Sequence, residues 1–241
     1  MSVTQRYRES WEGFWREAPE DEGAVFWDAE AGATVAGHLP LFEPHLLDAG
    51  LPVVDLGCGN GTQTRFLAGR FARVIGVDLA EAAVGRARRA DPEGVAEYRV
   101  LDAVEKGAAE RLHGEVGDAN VYVRGVLHQC GPEDRRPLVE ALAVLVGDRG
   151  RVFLVEPSEA AGAILGGLAG RPEGPPAKLA PVFRHGIAPG AVPDTAVPEY
   201  LTSAGLAVLE LGRAPLRTTE HTADGEPVVL PSQWVVAGRP A

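Results

Sequence analysis

Ten residues, Pro52-Val53-Val54-Asp55-Leu56-Gly57-Cys58-Gly59-Asn60-Gly61, constrain the fold of this chain more than any others. A short apolar run bounded by Pro and Gly reads as a buried strand. The glycines behind it allow positive φ and a close approach of backbone to ligand. Thr62 to Arg70 then has helical spacing, with Phe66 and Leu67 expected on its inner side. Strand, glycine turn and helix together mark the place where open α/β sheets hold a nucleotide-like ligand. A dinucleotide fingerprint needs G-x-G-x-x-G, with pyrophosphate on the helix N-terminus. Here the spacing is G-x-G-x-G, Thr62 stands where the third glycine belongs, and Asp55 precedes the loop. A carboxylate at that place repels pyrophosphate and suits a ligand with a cationic head. A second acid, Asp78, closes the next strand, Val74-Ile75-Gly76-Val77-Asp78, about 20 residues on, at the offset of a ribose-binding acid.

At Asp55, Gly57, Gly59, Gly61, Asp78 and Asp102, the chain resembles the class I S-adenosylmethionine (SAM)-dependent methyltransferases, whose first motif is D/E-x-G-x-G-x-G. The likeness runs from about Leu51 to Glu156. It implies a doubly wound, mostly parallel α/β sheet of seven strands in the order 3-2-1-4-5-7-6, with helices on both faces and an antiparallel last strand beside the fifth. It also implies SAM as cofactor and S-adenosylhomocysteine (SAH) as product. Asp55 and the loop of Gly57, Cys58, Gly59 and Gly61 would face the methionine portion. Asp78 with Leu79 would take the ribose, Asp102 with Ala103 would flank the adenine, and Arg124 would complete the cofactor contacts.

The 241 residues suit one domain, 1–241, with an N-terminal helical cap over 1–50; the stretch 158–196 is expected to be a lid or insert, and the resemblance implies that it binds the acceptor. No apolar run reaches 18 residues, so no membrane span is expected. The charged, aromatic start has no signal-peptide core. The two cysteines, Cys58 and Cys130, form no disulfide framework, so a cytoplasmic location is expected. A net charge of -11 argues against a nucleic-acid partner, which would be held by neutralising its phosphates. The expected partner is a small-molecule acceptor, and the chain itself is expected to be a monomer or homodimer. Lys106 and Lys178 are the only lysines among 23 basic residues, and with the alanine richness this suggests a GC-rich bacterial source.

Tyr7, Trp11, Phe14 and Trp15 fall on one helical stripe. Packing onto the domain is one reading of the stripe. The other is an aromatic lid, with Tyr7, Trp11 and Trp15 against the sulfonium or the acceptor. His38 and His45 have no companions at metal-ligand spacing and read as lone surface histidines, and no metal is expected. Arg86, Arg88 and Arg89 read as the solvated face of a helix. Ala103 to Glu115 reads as a surface helix, and Asp194 or Thr195 as the cap of a helix ending at Gly205. Ala207 to Gly212 and Gln233 to Ala237 read as the two final strands, joined by a polar stretch from Thr218 to Pro231.

Three groups are candidates for chemistry. His128 follows the fourth strand and titrates near neutrality, so it is the first choice for a general base; packing is the alternative. Glu156 ends the fifth strand and could meet the acceptor or bind local backbone. His185 and Arg184 sit in the insert, where an arginine could hold an anionic acceptor or simply be solvated. Cys130 is not needed as a nucleophile, because methyl transfer from SAM is direct. The expected activity is methylation of an O or N atom on a small molecule. The rivals are a non-methylating step on the same fold and a non-catalytic SAM-binding regulator.

Overall fold

Successive residues of a strand point to opposite faces of its sheet, and here both faces are apolar along the middle strands. In β4 (Asn120–Arg124), Val121 and Val123 face one layer and Tyr122 the other. In β5 (Arg151–Pro157), Val152 and Leu154 oppose Phe153 and Val155 in the same way. Such strands must be covered on both sides, which is what a computed structural model of the chain shows. It describes residues 3–172, 174–187, 190–222 and 224–240, with side chains from Tyr7 on. Residues 1, 2, 173, 188, 189, 223 and 241 of the expected domain, cap and insert lie outside the described residues.

The strands β1 (Val53–Leu56), β2 (Val74–Asp78), β3 (Glu97–Val100), β4 and β5 are parallel; β6 (Ala207–His221) and β7 (Pro227–Gly238) complete the sheet. The order is the expected one, β3-β2-β1-β4-β5-β7-β6, with β7 antiparallel to both neighbours. Helices α5 (Ala108–Val116), α6 (Pro132–Val146) and α9 (Ala196–Ser203) supply Leu112, Leu138, Leu142 and Leu201 to the core on one face. On the other face α2 (Val35–Phe42) and α3 (Thr62–Ala68) supply Val35, Phe42 and Leu67, against Tyr122, Phe153 and Trp234. Helix α4 (Glu81–Arg89) packs by β2 and β3. Helices α1 (Val3–Glu17), α7 (Ala161–Ala169) and α8 (Ala180–Arg184) lie over the strands' C-terminal ends, where Phe14, Trp15, Phe26, Leu179, Val182 and Leu216 form a separate cluster. Among the described residues no helix is long and apolar enough to cross a membrane.

Several local expectations change. Helix α3 stops at Ala68, and its buried face is Gln63, Thr64 and Leu67, which leaves Phe66 36% exposed. Helix α5 begins only at Ala108, after a turn through Gly107, and it is half core rather than a surface helix, since Ala108, Ala109 and Leu112 are buried. His38 is buried, not a surface residue: its Nδ1 lies 2.8 Å from the Tyr122 hydroxyl, and burial lowers its pKa to about 4. His45 pairs with Glu210 at 2.8 Å. The arginines of α4 do lie on a solvated face, with Arg88 and Arg89 exposed, and they also serve as ties. Arg86 donates to the carbonyls of Ala18 and Pro19, Arg88 to that of Tyr98, and Arg89 to Glu20. Neither Asp194 nor Thr195 caps α9, because the Asp194 carboxylate accepts from Glu159 N and Arg213.

The largest change is at the end of the chain, where the two short strands are one long hairpin. Proline lacks the N–H that a ladder uses, yet Pro215 and Pro231 both lie within the hairpin. They stand opposite each other, next to the pair Pro157–Ser232 at which β5 ends. The hairpin continues beyond that point as an overhang. Thr219 fastens it to the carbonyls of Val25 and Phe26, and Lys178 donates to Thr219 O at 2.7 Å.

Candidate active site

The loop after β1 is pinned to its neighbour: Gly57 N and Cys58 N donate to Val77 O at 2.8 and 3.1 Å. Gly59 has φ +55°, and a Cβ there would stand 2.8 Å from Trp15 Cζ2. Gly61 has φ +77°, and a Cβ there would meet Tyr98 Cε1 at 2.8 Å. Only glycine serves both the backbone angle and the contact with α1 or β3.

Two acids flank this loop. Asp55 is buried and accepts a 2.6 Å hydrogen bond from Thr64 Oγ1. Asp78 accepts from Gly59 N at 3.0 Å and Ala80 N at 2.9 Å. Burial pushes each carboxyl up to about 6, against the lowering effect of these donors. The charge of Asp78 adds to the effect on Asp55, and Glu12 adds to that on Asp78. Neither acid has a salt-bridge partner among the described residues. Arg124 acts on Asp55 from a distance without pairing with it, and two enclosed carboxylates so placed suit a cationic ligand.

Around them lies a cavity of about 200 Å³ at the C-terminal ends of the strands. Of the residues expected to hold the cofactor, Asp55, Gly57, Cys58, Gly59, Asp78, Leu79, Asp102, Ala103 and Arg124 line it, while Gly61 sits behind the loop. Asp102 accepts from Arg8 Nη2 at 2.5 Å, which lays the first turns of α1 over that end. Arg124 donates to Trp27 O at 2.9 Å and Arg217 O at 3.1 Å, and its buried Nε has no partner among the described residues. Tyr7, Trp11 and Trp15 also line the cavity, together with Trp27, and Trp11 and Trp27 meet edge to face at 5.4 Å.

At the end of β4, Glu156 gathers the following turn. Its carboxylate accepts from the amides of Val126, Leu127 and His128 and lies 2.7 Å from His128 Nδ1. His128 Nε2 is 2.8 Å from the Gln129 amide nitrogen. With the amide so oriented, Nε2 accepts and the ring proton sits on Nδ1, toward Glu156. Tyr7 OH reaches Gln129 Oε1 at 3.4 Å. Burial raises the Cys130 thiol to about 12, which leaves it a poor nucleophile.

His128 thus faces the cavity, whereas Glu156 stands behind it as the group that orients the ring. Arg184 and His185 lie outside the cavity lining. They face Glu17 of α1 at 3.5 and 3.1 Å, and His185 packs under Gly13. The cavity also takes in residues that sequence reasoning missed: Asp28, whose carboxylate accepts from Asn60 at 2.6 Å, Gln129, and the apolar Leu165, Leu179, Leu216 and Leu230. The Asn60 side of that contact was visible inside the motif. The leucines had no local signal.

A family model described as a methyltransferase domain matches residues 53–161. A carboxy-S-adenosyl-L-methionine synthase of Chromohalobacter salexigens is 34% identical over 127 residues, covering 51% of this chain and 46% of that protein. A ubiquinone biosynthesis O-methyltransferase of Dechloromonas aromatica is 34% identical over 108 residues, 44% of each chain. The match therefore spans just under half the length of these curated relatives. A crystal structure of a SAM-dependent methyltransferase from Anabaena variabilis shares 30% identity and a TM-score of 0.89, over 100% of this chain and 96% of that one. With this full-length likeness and the glycine loop held between Asp55 and Asp78, the chain belongs to the SAM-dependent methyltransferases.

Proposed function

We propose that this protein transfers the methyl group of SAM to an O or N atom of a small molecule. The observation that carries the reading is the pair of enclosed carboxylates, Asp55 and Asp78, on a cavity that also holds an oriented imidazole, His128. When bound, SAM supplies a methyl group on a sulfonium, a leaving group that needs no activation. The chain's part is then to orient, to exclude water and to move a proton. Asp55 and the glycine loop hold the cationic head, Asp78 and Leu79 the ribose, and Asp102 and Ala103 the adenine. The rings of Tyr7, Trp11, Trp15 and Trp27 close the cavity above. An acceptor hydroxyl that displaces the Gln129 amide from His128 Nε2 gives its proton to that nitrogen, and Glu156 steadies the resulting imidazolium. An acceptor amine that arrives unprotonated needs no base. The net charge of -11 favours a small acceptor over a nucleic acid.

The test is incubation with SAM and a panel of phenols and amines, read by mass spectrometry. Methylated product in equal amount with SAH supports the proposal. A changed product without SAH supports a non-methylating enzyme, and undetectable SAM binding by calorimetry supports a protein that has lost the cofactor. His128→Ala is expected to keep SAM affinity and to slow hydroxyl methylation by about 10²–10⁴-fold; full activity in that variant removes His128 as the base.

A further inference from the structure

The cavity crosses the sheet from β3 to β6, and its character changes on the way. Over β3, β2 and β1 its walls carry Asp102, Asp78 and Asp55. At β4 stand Arg124, His128 and Gln129. Beyond β4, every described residue that the stretch 157–230 contributes is apolar: Pro157, Leu165, Leu179, Val182, Leu216 and Leu230. Leu216 and Leu230 are register partners on the hairpin overhang, so this wall exists because β6 and β7 run on past the end of β5. Leu165 and Val182 close it from α7 and α8.

Building on the methyl-transfer reading above, we propose that this half is the acceptor chamber. Its substrate class is a molecule with an uncharged apolar body and one proton-bearing polar group, which comes to rest at His128. A charged or strongly polar body there would lose its hydration and find no partner among those six side chains, a cost of several kcal/mol. The one cation at the boundary, Arg124, already donates through Nη1 and Nη2 to the carbonyls of Trp27 and Arg217, next to Leu216. Those bonds hold the guanidinium against the chamber's walls, and the carboxylates of Asp28, Asp55 and Glu156 act on its charge. From β4 to β6 there are three strand spacings, about 14 Å, which sets the reach of the body the chamber can take.

The test is calorimetric binding of 4-alkylphenols of increasing chain length to the SAH-loaded protein, which needs no turnover. Affinity is expected to rise about three- to fourfold per added methylene until the chamber is filled. Leu165→Gln, at a half-buried helix position, is expected to flatten that rise with SAH affinity unchanged. The proposal is overturned if affinity is independent of chain length. It is also overturned if 4-hydroxyphenylalkanoates of matched length bind more tightly than the alkylphenols, which would make Arg124 the anchor of an anionic acceptor. SAH titration of the same samples reports separately on the cofactor reading. Should SAH fail to bind, the alkylphenol series run on the protein alone still reads the chamber.

Discussion

Asp55 and Asp78 illustrate how a binding site is built at the expense of the empty protein. In the unfolded chain each titrates near 3.9; in the fold each titrates at about 6. Between those values the native state holds more protons than the unfolded one, so their contribution to stability falls as pH rises from about 4 to 6 and stays low above that. Urea unfolding of the ligand-free protein is expected to show this slope weakened in Asp78→Asn relative to wild type. Binding runs the other way. A cationic ligand needs the carboxylates ionised, so SAM affinity measured by calorimetry is expected to drop about tenfold per carboxylate involved at one pH unit below 6. At the loop itself, Gly59→Ala sets a methyl against Trp15 at a left-handed φ. It is expected to destabilise the fold by about 1–3 kcal/mol and to weaken SAM binding, both readable in one thermal titration.

At the scale of elements, Glu156 is the joint between β5 and the turn after β4. Glu156→Gln replaces an acceptor of three amides and one ring by a group that also donates, so about 2–4 kcal/mol of stability is expected to go, as seen in denaturant midpoints. The elements that the sequence made legible are those whose signal is local. Strands buried on both faces read as apolar runs, and the motif places Asp55 and Asp78 without help from elsewhere. Where partners are distant, that reading stopped. Nothing near His38 foretells Tyr122, 84 positions away. The overhang carrying Leu216 and Leu230 was missed because the polar composition of 218–231 reads as a connection, whereas its pairing partners lie across the hairpin. Arg184 and His185 looked exposed to substrate in the sequence, but the fold turns them onto Glu17.

For the whole molecule, the cofactor is a structural element in waiting. A ligand held only by the native state at 100 times its dissociation constant adds about 2.7 kcal/mol. For a chain of this size that corresponds to roughly 5–10 °C in melting temperature. SAH is expected to produce such a shift in wild type and a much smaller one in Asp78→Ala, measured by differential scanning. The roof over that ligand is fastened unequally. Near Trp15, Arg86 grips backbone carbonyls just past the end of α1. At the other end Arg8, 47% exposed, meets Asp102 in a pair that salt screens. Raising ionic strength is therefore expected to quicken ligand exchange while α1 stays attached, a rate that stopped-flow tryptophan fluorescence can follow. If Asp102 flanks the adenine as proposed, the exposed Arg8–Asp102 pair makes the near edge of that roof the side from which a bound nucleoside leaves first.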